Sequence, residues 1–454
     1  MRRLLTAAAL ALALAACAIT PSPRPEAARV VSPAAWRADA PGSAIVEPGW
    51  WNGFGDPRLA AAVETALANN VDLAIADARV REAAALSAQA RAALLPAVDV
   101  SASAQEARTL SGARPSDSGT AQVQLQAAWE IDLWGRVRNA DVAARALLQA
   151  SESARDASAL SISAATARAY ITLLSLDAQL VIARNTLESR DQALRLATRR
   201  AEAGDTSRLE LTQAAAERRA AARQVPALEL AVSRQENALR VLAGDLHGTV
   251  LRGRLDELAL PIPAAGLPST LLARRPDIAQ AEAQLIASDA SLASAQAALL
   301  PQVRLTASLG ELFVESIDPA TVWGLGGSIL APLFDGGSLA AGARAAEARR
   351  DQAAYAYRGV VVNAFAEVES ALAGVNQLER QAAEARDQRE ALQEALFHAR
   401  NRYQAGYASY LEELDAQRNL FNVELGLVQL QESRLHNAVA LHQALGGGWG
   451  PEYP

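Results

Sequence analysis

The chain reads as a mixed α and β protein, mostly α, with an internal two-fold repeat. Three observations carry that reading. Stretches about 205 residues apart recur in the same order. Short segments alternate apolar and polar residues with period two. Long segments between them place apolar residues in alternating steps of three and four.

The elements follow in chain order. Arg2 and Arg3 begin a basic start and Leu4 to Ala16 is apolar, which reads as a signal peptide over residues 1–16. That run is too short for a membrane-spanning helix. It ends in Leu14-Ala15-Ala16-Cys17, which is similar to the bacterial lipobox, where the signal is cut before the Cys and the Cys takes the lipid. Cys17 is therefore the expected lipidation site, and Ala at position 18 points to the outer membrane. With one Cys in the chain, an intramolecular disulfide is excluded. Residues 17–48 carry Pro21, Pro23, Pro25, Pro33, Pro41 and Pro48 and read as an extended tether. A net charge of −7 argues against a nucleic-acid partner. Aromatic content of 4% beside abundant Ala suits long, closely packed helices. After the signal, the sequence shows no apolar run that reads as a membrane helix, so spanning falls to strands.

The first repeat covers 49–244 and the second 269–446, joined by a linker at 245–268 and followed by a tail at 447–454. RAALLPAVDV from Arg91 matches QAALLPQVRL from Gln296. WEIDLWGRVRNA from Trp129 matches ILAPLFDGGSLAAG from Ile329, and AEAGDTSRLELTQA from Ala201 matches YQAGYASYLEELDA from Tyr403. Each repeat holds two strands, at about 96–134 and 301–334, and a helical hairpin, at about 136–244 and 337–446. From Thr120 to Leu133 one strand face holds Ala121, Val123, Leu125, Ala127, Trp129 and Ile131. Strands of about ten residues suit a tilted membrane strand. A soluble half-buried sheet shows the same alternation, and the outer-membrane address favours the membrane reading. Four strands cannot close a barrel, and an open edge cannot face lipid. Two, three or four copies would give about 8, 12 or 16 strands.

Arg136 to Ala203 predicts a helix on the order of 100 Å long. Leu173, Leu176, Leu180, Ala183, Leu187, Arg190, Leu194 and Ala197 trace a heptad seam, as do Tyr357, Val361, Ala364, Val368, Ala371, Val375 and Leu378. Gly204 and Gly406 break the long helices and mark hairpin tips. Nothing suggests an enzyme or a cofactor beyond the lipid. His247, His398, His436 and His442 form no metal pair at helical spacing, and no nucleophile elbow or phosphate loop appears. Gly446-Gly447-Gly448 lacks the Lys and Ser/Thr of such a loop and reads as a flexible end.

Four stretches in order resemble the outer-membrane factor family, the TolC-like channel-tunnels, in the NodT-type lipoprotein branch of multidrug efflux channels. They are GWWNGFGDPRLAAAVETALANN from Gly49, WEIDLWGRVR from Trp129, LLARRPDIAQAEAQL from Leu271 and PLFDGGSLAAGARAAEA from Pro332. The resemblance covers nearly the whole mature chain. It implies a homotrimer with a twelve-stranded barrel in outer-membrane lipid and a long coiled-coil helical barrel reaching into the periplasm. A girdle would form from the tether, residues 243–268 and the C-terminal segment. The implied partners are a periplasmic adaptor protein and a proton-driven inner-membrane transporter, and the implied role is the passive exit duct of a tripartite efflux pump. Two alternatives stand beside it: a channel for type I protein secretion, and a structural coiled-coil lipoprotein without a pore.

The resemblance also implies a gate at the helix tips. Glu412 and Asp415 match acidic family positions, are three apart and share a helix face. In a trimer each would form a ring of carboxylates on the axis. Tyr403, Asp415 and Arg418 match residues that lock neighbouring helices in the lipoprotein branch. Some members carry an Arg two residues after the tip Gly, where this chain has Ala408. Gly204, Asp205, Leu209, Gly406 and Leu411 resemble the surface that adaptor tips grip.

Overall fold

The structure is a computed structural model that describes residues 25–38, 46–111, 114–245, 247–315 and 317–449. The signal peptide and Cys17 lie outside the described residues. The first repeat supplies α1 (Pro57–Asn69), α2 (Val71–Ala92), β1 (Ala97–Ser111), β2 (Arg114–Ile131), α3 (Arg136–Ala203) and α4 (Arg208–Leu242). The second supplies α5 (Pro276–Ala297), β3 (Gln302–Val314), β4 (Ile317–Leu330), α6 (Ser338–Gln404) and α7 (Tyr410–Ala444). From α2 and α5 onward the order is the same.

The four strands form one antiparallel sheet in the order β1-β2-β3-β4. Its register aligns apolar residues across the sheet: Val100 faces Leu125, Leu125 faces Leu309, and Leu309 faces Trp323. The next row holds Ser101, Gln124, Gly310 and Val322. One face is thus mainly apolar and the other mainly polar, with successive side chains alternating between them. The strands run to 15, 18, 13 and 14 residues, longer than the ten expected. The first hairpin keeps its register up to Ser111 opposite Arg114, through polar residues where Arg108 and Asp117 pair at 2.6 Å.

The repeated motifs after β2 and β4 are strand-to-helix turns. Asp132 accepts hydrogen bonds from the Val137 and Arg138 amides at 3.2 and 2.8 Å, which caps α3. Asp335 does the same for the Gly337 and Leu339 amides at 2.8 and 2.6 Å. Glu130 pairs with Arg136 at 2.6 Å, and the Trp134 indole donates to the Pro301 carbonyl at 2.6 Å.

The described residues divide into two compact units, one within 1–30, 78–153 and 278–360, the other within 31–77, 154–277 and 361–454. Each unit draws on both repeats: the first holds the sheet that strands of both share, and the second packs helices of both into one core. The second unit has a core of Trp50, Phe54, Leu59 and Val63 against Tyr170, Ile171, Leu173 and Leu174, closed by Leu255, Leu258, Leu435 and Val439. Tyr170 donates to Asp56 at 2.7 Å, and Asp56 also caps α1. Here α3 differs from expectation. By length and composition it contains a stretch apolar enough to cross a membrane, and over half of that stretch is buried within the protein, as in a core helix.

A second difference concerns Gly446 to Gly448, which are packed rather than loose. All three adopt positive φ. A Cβ on Gly446 would lie 2.0 Å from the Arg274 carbonyl oxygen, on Gly447 2.3 Å from Leu160 Cδ1, and on Gly448 2.2 Å from the Glu47 carbonyl carbon. Trp449 then donates to Asp156 at 2.8 Å. The triple glycine lets the C-terminal end lie flat on the segment before α1.

Candidate gate at the helix tips

Both hairpins turn by the same device. Gly204 and Gly406 take φ of +82° and +79°, and nothing lies within 4 Å of a Cβ at either. The Asp205 amide returns to the Arg200 carbonyl at 2.8 Å, and Tyr407 to Arg402 at 2.9 Å. These are left-handed helix stops that satisfy terminal carbonyls. The restarts differ. Ser207 caps α4 by accepting from the Glu210 amide, whereas Ser409 makes no side-chain cap.

Beneath the tips, Tyr403 and Tyr410 pack with Ala197, Ala214 and Leu414. The two rings are 5.7 Å apart, and the Arg200 guanidinium lies 4.7 Å above Tyr403. The Tyr403 hydroxyl donates to the Glu210 carboxylate. Burial and that carboxylate both push the phenol well above its ordinary value. Arg418 pairs with Glu217, with Nε 3.4 Å from one carboxylate oxygen. That bond holds the guanidinium firmly charged. Tyr403 and Arg418 therefore both tie the second hairpin to α4 of the first.

The two expected ring carboxylates stand apart from these ties. Glu412 is exposed and meets Arg402 at 3.6 Å on its own hairpin. Asp415 is exposed and accepts from the Asn419 amide at 3.2 Å, with no cation within ion-pair distance among the described residues. Tyr403, Asp415 and Arg418 do not bond one another. Of the expected grip residues, Leu209 is 67% and Leu411 55% exposed. Asp205, next to the tip Gly204, is exposed as well.

Several contacts here escape a reading of the sequence. Glu210 and Glu217 are the anchors on α4. Glu210 follows Ser207 by three residues, a capping-box spacing that signals its place at the helix start. Glu413, next to the exposed Glu412, is 7% exposed. It accepts from Gln417 Nε2 at 2.9 Å, and Gln417 in turn accepts from Arg190 of α3. A charged residue in a heptad seam, as Arg190 is, signals such a buried polar contact.

Comparison with known proteins gives the family of the chain. The family described as Outer membrane efflux protein matches residues 62–245 and 267–447, one stretch per repeat. The pyoverdine export outer membrane protein OpmQ of Pseudomonas aeruginosa is 35% identical over 435 residues, covering 92% of each chain. The probable outer membrane lipoprotein SilC of Salmonella typhimurium is 31% identical, covering 89% of this chain and 88% of its own. The solved outer-membrane channel OprN superposes with a TM-score of 0.87 at 31% identity, covering 93% of this chain and 98% of its own. The chain belongs to the outer membrane efflux protein family and is an outer-membrane channel for efflux.

Proposed function

We propose that three copies close one twelve-stranded barrel, and that the helix tips form its periplasmic gate. One observation carries the reading: a four-stranded sheet with an apolar row and, among the described residues, single partners for its edge strands β1 and β4. Lipid tolerates no open edge, so further copies must complete the wall. Trp323 and Leu325, 78% and 80% exposed on a single chain, suit a lipid-facing surface. Three copies of four strands fall within the known range. The lipid on Cys17 adds an anchor to that barrel.

Around the three-fold axis, Glu412 and Asp415 form rings of carboxylates that hold a narrow aperture and attract cations. Tyr403 and Arg418 keep the second hairpin against the first while the gate is shut. An adaptor protein grips the tips at Gly204, Asp205, Leu209, Gly406 and Leu411, and a proton-driven inner-membrane transporter supplies the energy. The cargo is small molecules, in keeping with the pyoverdine export for which OpmQ is named. Single-channel conductance in planar bilayers tests the gate. Asp415→Ala raises the closed-state conductance, and Asp415→Ala with Arg418→Ala raises it further. Unchanged closed-state conductance in both overturns the gate assignment.

A further inference from the structure

A cavity of about 450 Å³ lies between α3, α6 and α7. That is within the size range of small-molecule sites. Two guanidiniums reach its lining, Arg190 from α3 and Arg389 from α6. Arg190 is 4% exposed, and its hydrogen bond goes to a neutral amide, that of Gln417. No carboxylate comes within ion-pair distance of it among the described residues. Arg389 Nε is sealed from solvent with no hydrogen-bond partner among the described residues. Arg190 faces the Glu413 carboxyl and Arg389 the Glu424 carboxyl, but among the described residues neither guanidinium has a carboxylate at ion-pair distance, so both can take an incoming anion.

The rest of the lining sets what kind of anion fits. Leu420 and Phe421 of α7 give the cavity an apolar wall. Glu424 is the carboxylate in the lining. Burial raises its pKa from the ordinary value, and the charge of Arg389 opposes that shift. We propose that this cavity binds a small organic anion with an apolar body, its carboxylate or sulfonate head toward Arg190 and Arg389 and its body against Leu420 and Phe421. Charge-assisted bonds from arginine to an oxyanion supply the head-group specificity.

Such a ligand acts on the tips as well. Arg190 bonds Gln417, and Gln417 bonds Glu413 beneath the second tip. An anion that draws Arg190 toward the cavity loosens this chain of bonds. The binding site stands without the gate reading, whereas the effect on the tips rests on it.

The test uses the full-length protein in lipid nanodiscs, with naphthalene-2-sulfonate as probe and uncharged naphthalene-2-methanol as its counterpart. Calorimetry is expected to show saturable binding of the sulfonate and binding of the alcohol weaker by about tenfold or more, the loss of one charge-assisted contact. Arg389→Ala weakens sulfonate binding by a similar factor. Leu420→Trp, which keeps both arginines and fills the space for the apolar body, abolishes it, so the site is tested even where Arg389→Ala does not assemble. No saturable binding, equal binding of the alcohol, or wild-type affinity in Leu420→Trp overturns the site. Conductance measured with bound sulfonate separates the two claims: an unchanged closed state beside intact binding removes the link to the tips and leaves the site.

Discussion

Glu413 is held beneath the second tip with Gln417 as its hydrogen-bond partner. Facing it are Arg190 and Arg200 from α3, Arg400 from α6 and Tyr410 from its own helix, while Glu217 of α4 faces Tyr410. Burial raises the Glu413 carboxyl above its ordinary value, and the arginines offset only part of that rise. The packed tips therefore hold the proton more tightly than the unfolded chain does. Their stability is greatest below the ordinary Glu value of about 4.3 and declines as pH rises through the raised one. Glu413→Gln is expected to flatten this dependence and to stabilise the tips at neutral pH. Amide hydrogen exchange over residues 400–415 at about pH 5 and about pH 7.5, corrected for intrinsic rates, measures it. A Gln variant that keeps the wild-type pH dependence assigns the titration to another group. Tyr403 makes the companion case. Tyr403→Phe removes a hydrogen bond to a charged acceptor, worth about 1.5–3 kcal/mol. Glu210 keeps its bond from Thr206 at 2.6 Å, so the cost is expected near the lower end of that range. Faster exchange confined to the tip amides would show it, and wild-type exchange there would show that the bond carries no net stability.

At the scale of elements, the C-terminal turn after α7 and the segment before α1 meet through glycines with no room for a side chain. Gly446→Ala places a Cβ against the Arg274 carbonyl at a positive φ, a strain of about 1–3 kcal/mol before any shift of the backbone. Thermal unfolding of the reconstituted protein should show the loss, and an unchanged midpoint would mean that the turn can relax freely. This contact was illegible in the sequence because Glu47, Leu160 and Arg274 are each far from it along the chain. The long helices, by contrast, were legible. The seam residues Leu173, Leu180, Ala183 and Ala197 are buried, as are Tyr357, Val361, Ala364 and Val368. Local spacing alone defines such a stripe. The tip glycines were legible for the same reason, since a helix stop is a local event. The pairs across hairpins were not. Neighbouring residues on a helix point about 100° apart, so Glu412 in water and Glu413 in the packed cluster cannot be told apart until the inward face of α7 is known. Likewise, Arg418 carries no mark in the sequence of its partner Glu217, about 200 residues away.

For the whole molecule, the decisive question is which face of the sheet meets lipid. Leu125 and Gln124 are adjacent on β2, an inner strand paired on both sides, so neither sits at an edge. They differ in face. Leu125 lies in the row of Val100, Leu309 and Trp323, and Gln124 in the row of Ser101, Gly310 and Val322. If the sheet is the wall of a membrane barrel, the apolar row meets hydrocarbon and the polar row meets water in the duct. An arginine on the lipid face costs about 2–4 kcal/mol at the midplane. Closure by three copies repeats that cost in each chain, so the effect on assembly exceeds the effect on one chain. Leu125→Arg is therefore expected to deplete assembled channel from the outer membrane. Gln124→Arg should assemble and change the ion selectivity of the open channel, because its charge stands in the water path. Native mass of the extracted protein and conductance in planar bilayers read the two outcomes separately. Equal assembly of both variants would mean that neither face contacts hydrocarbon. The sheet would then be a soluble one, and closure of the barrel by further copies would lose its physical basis.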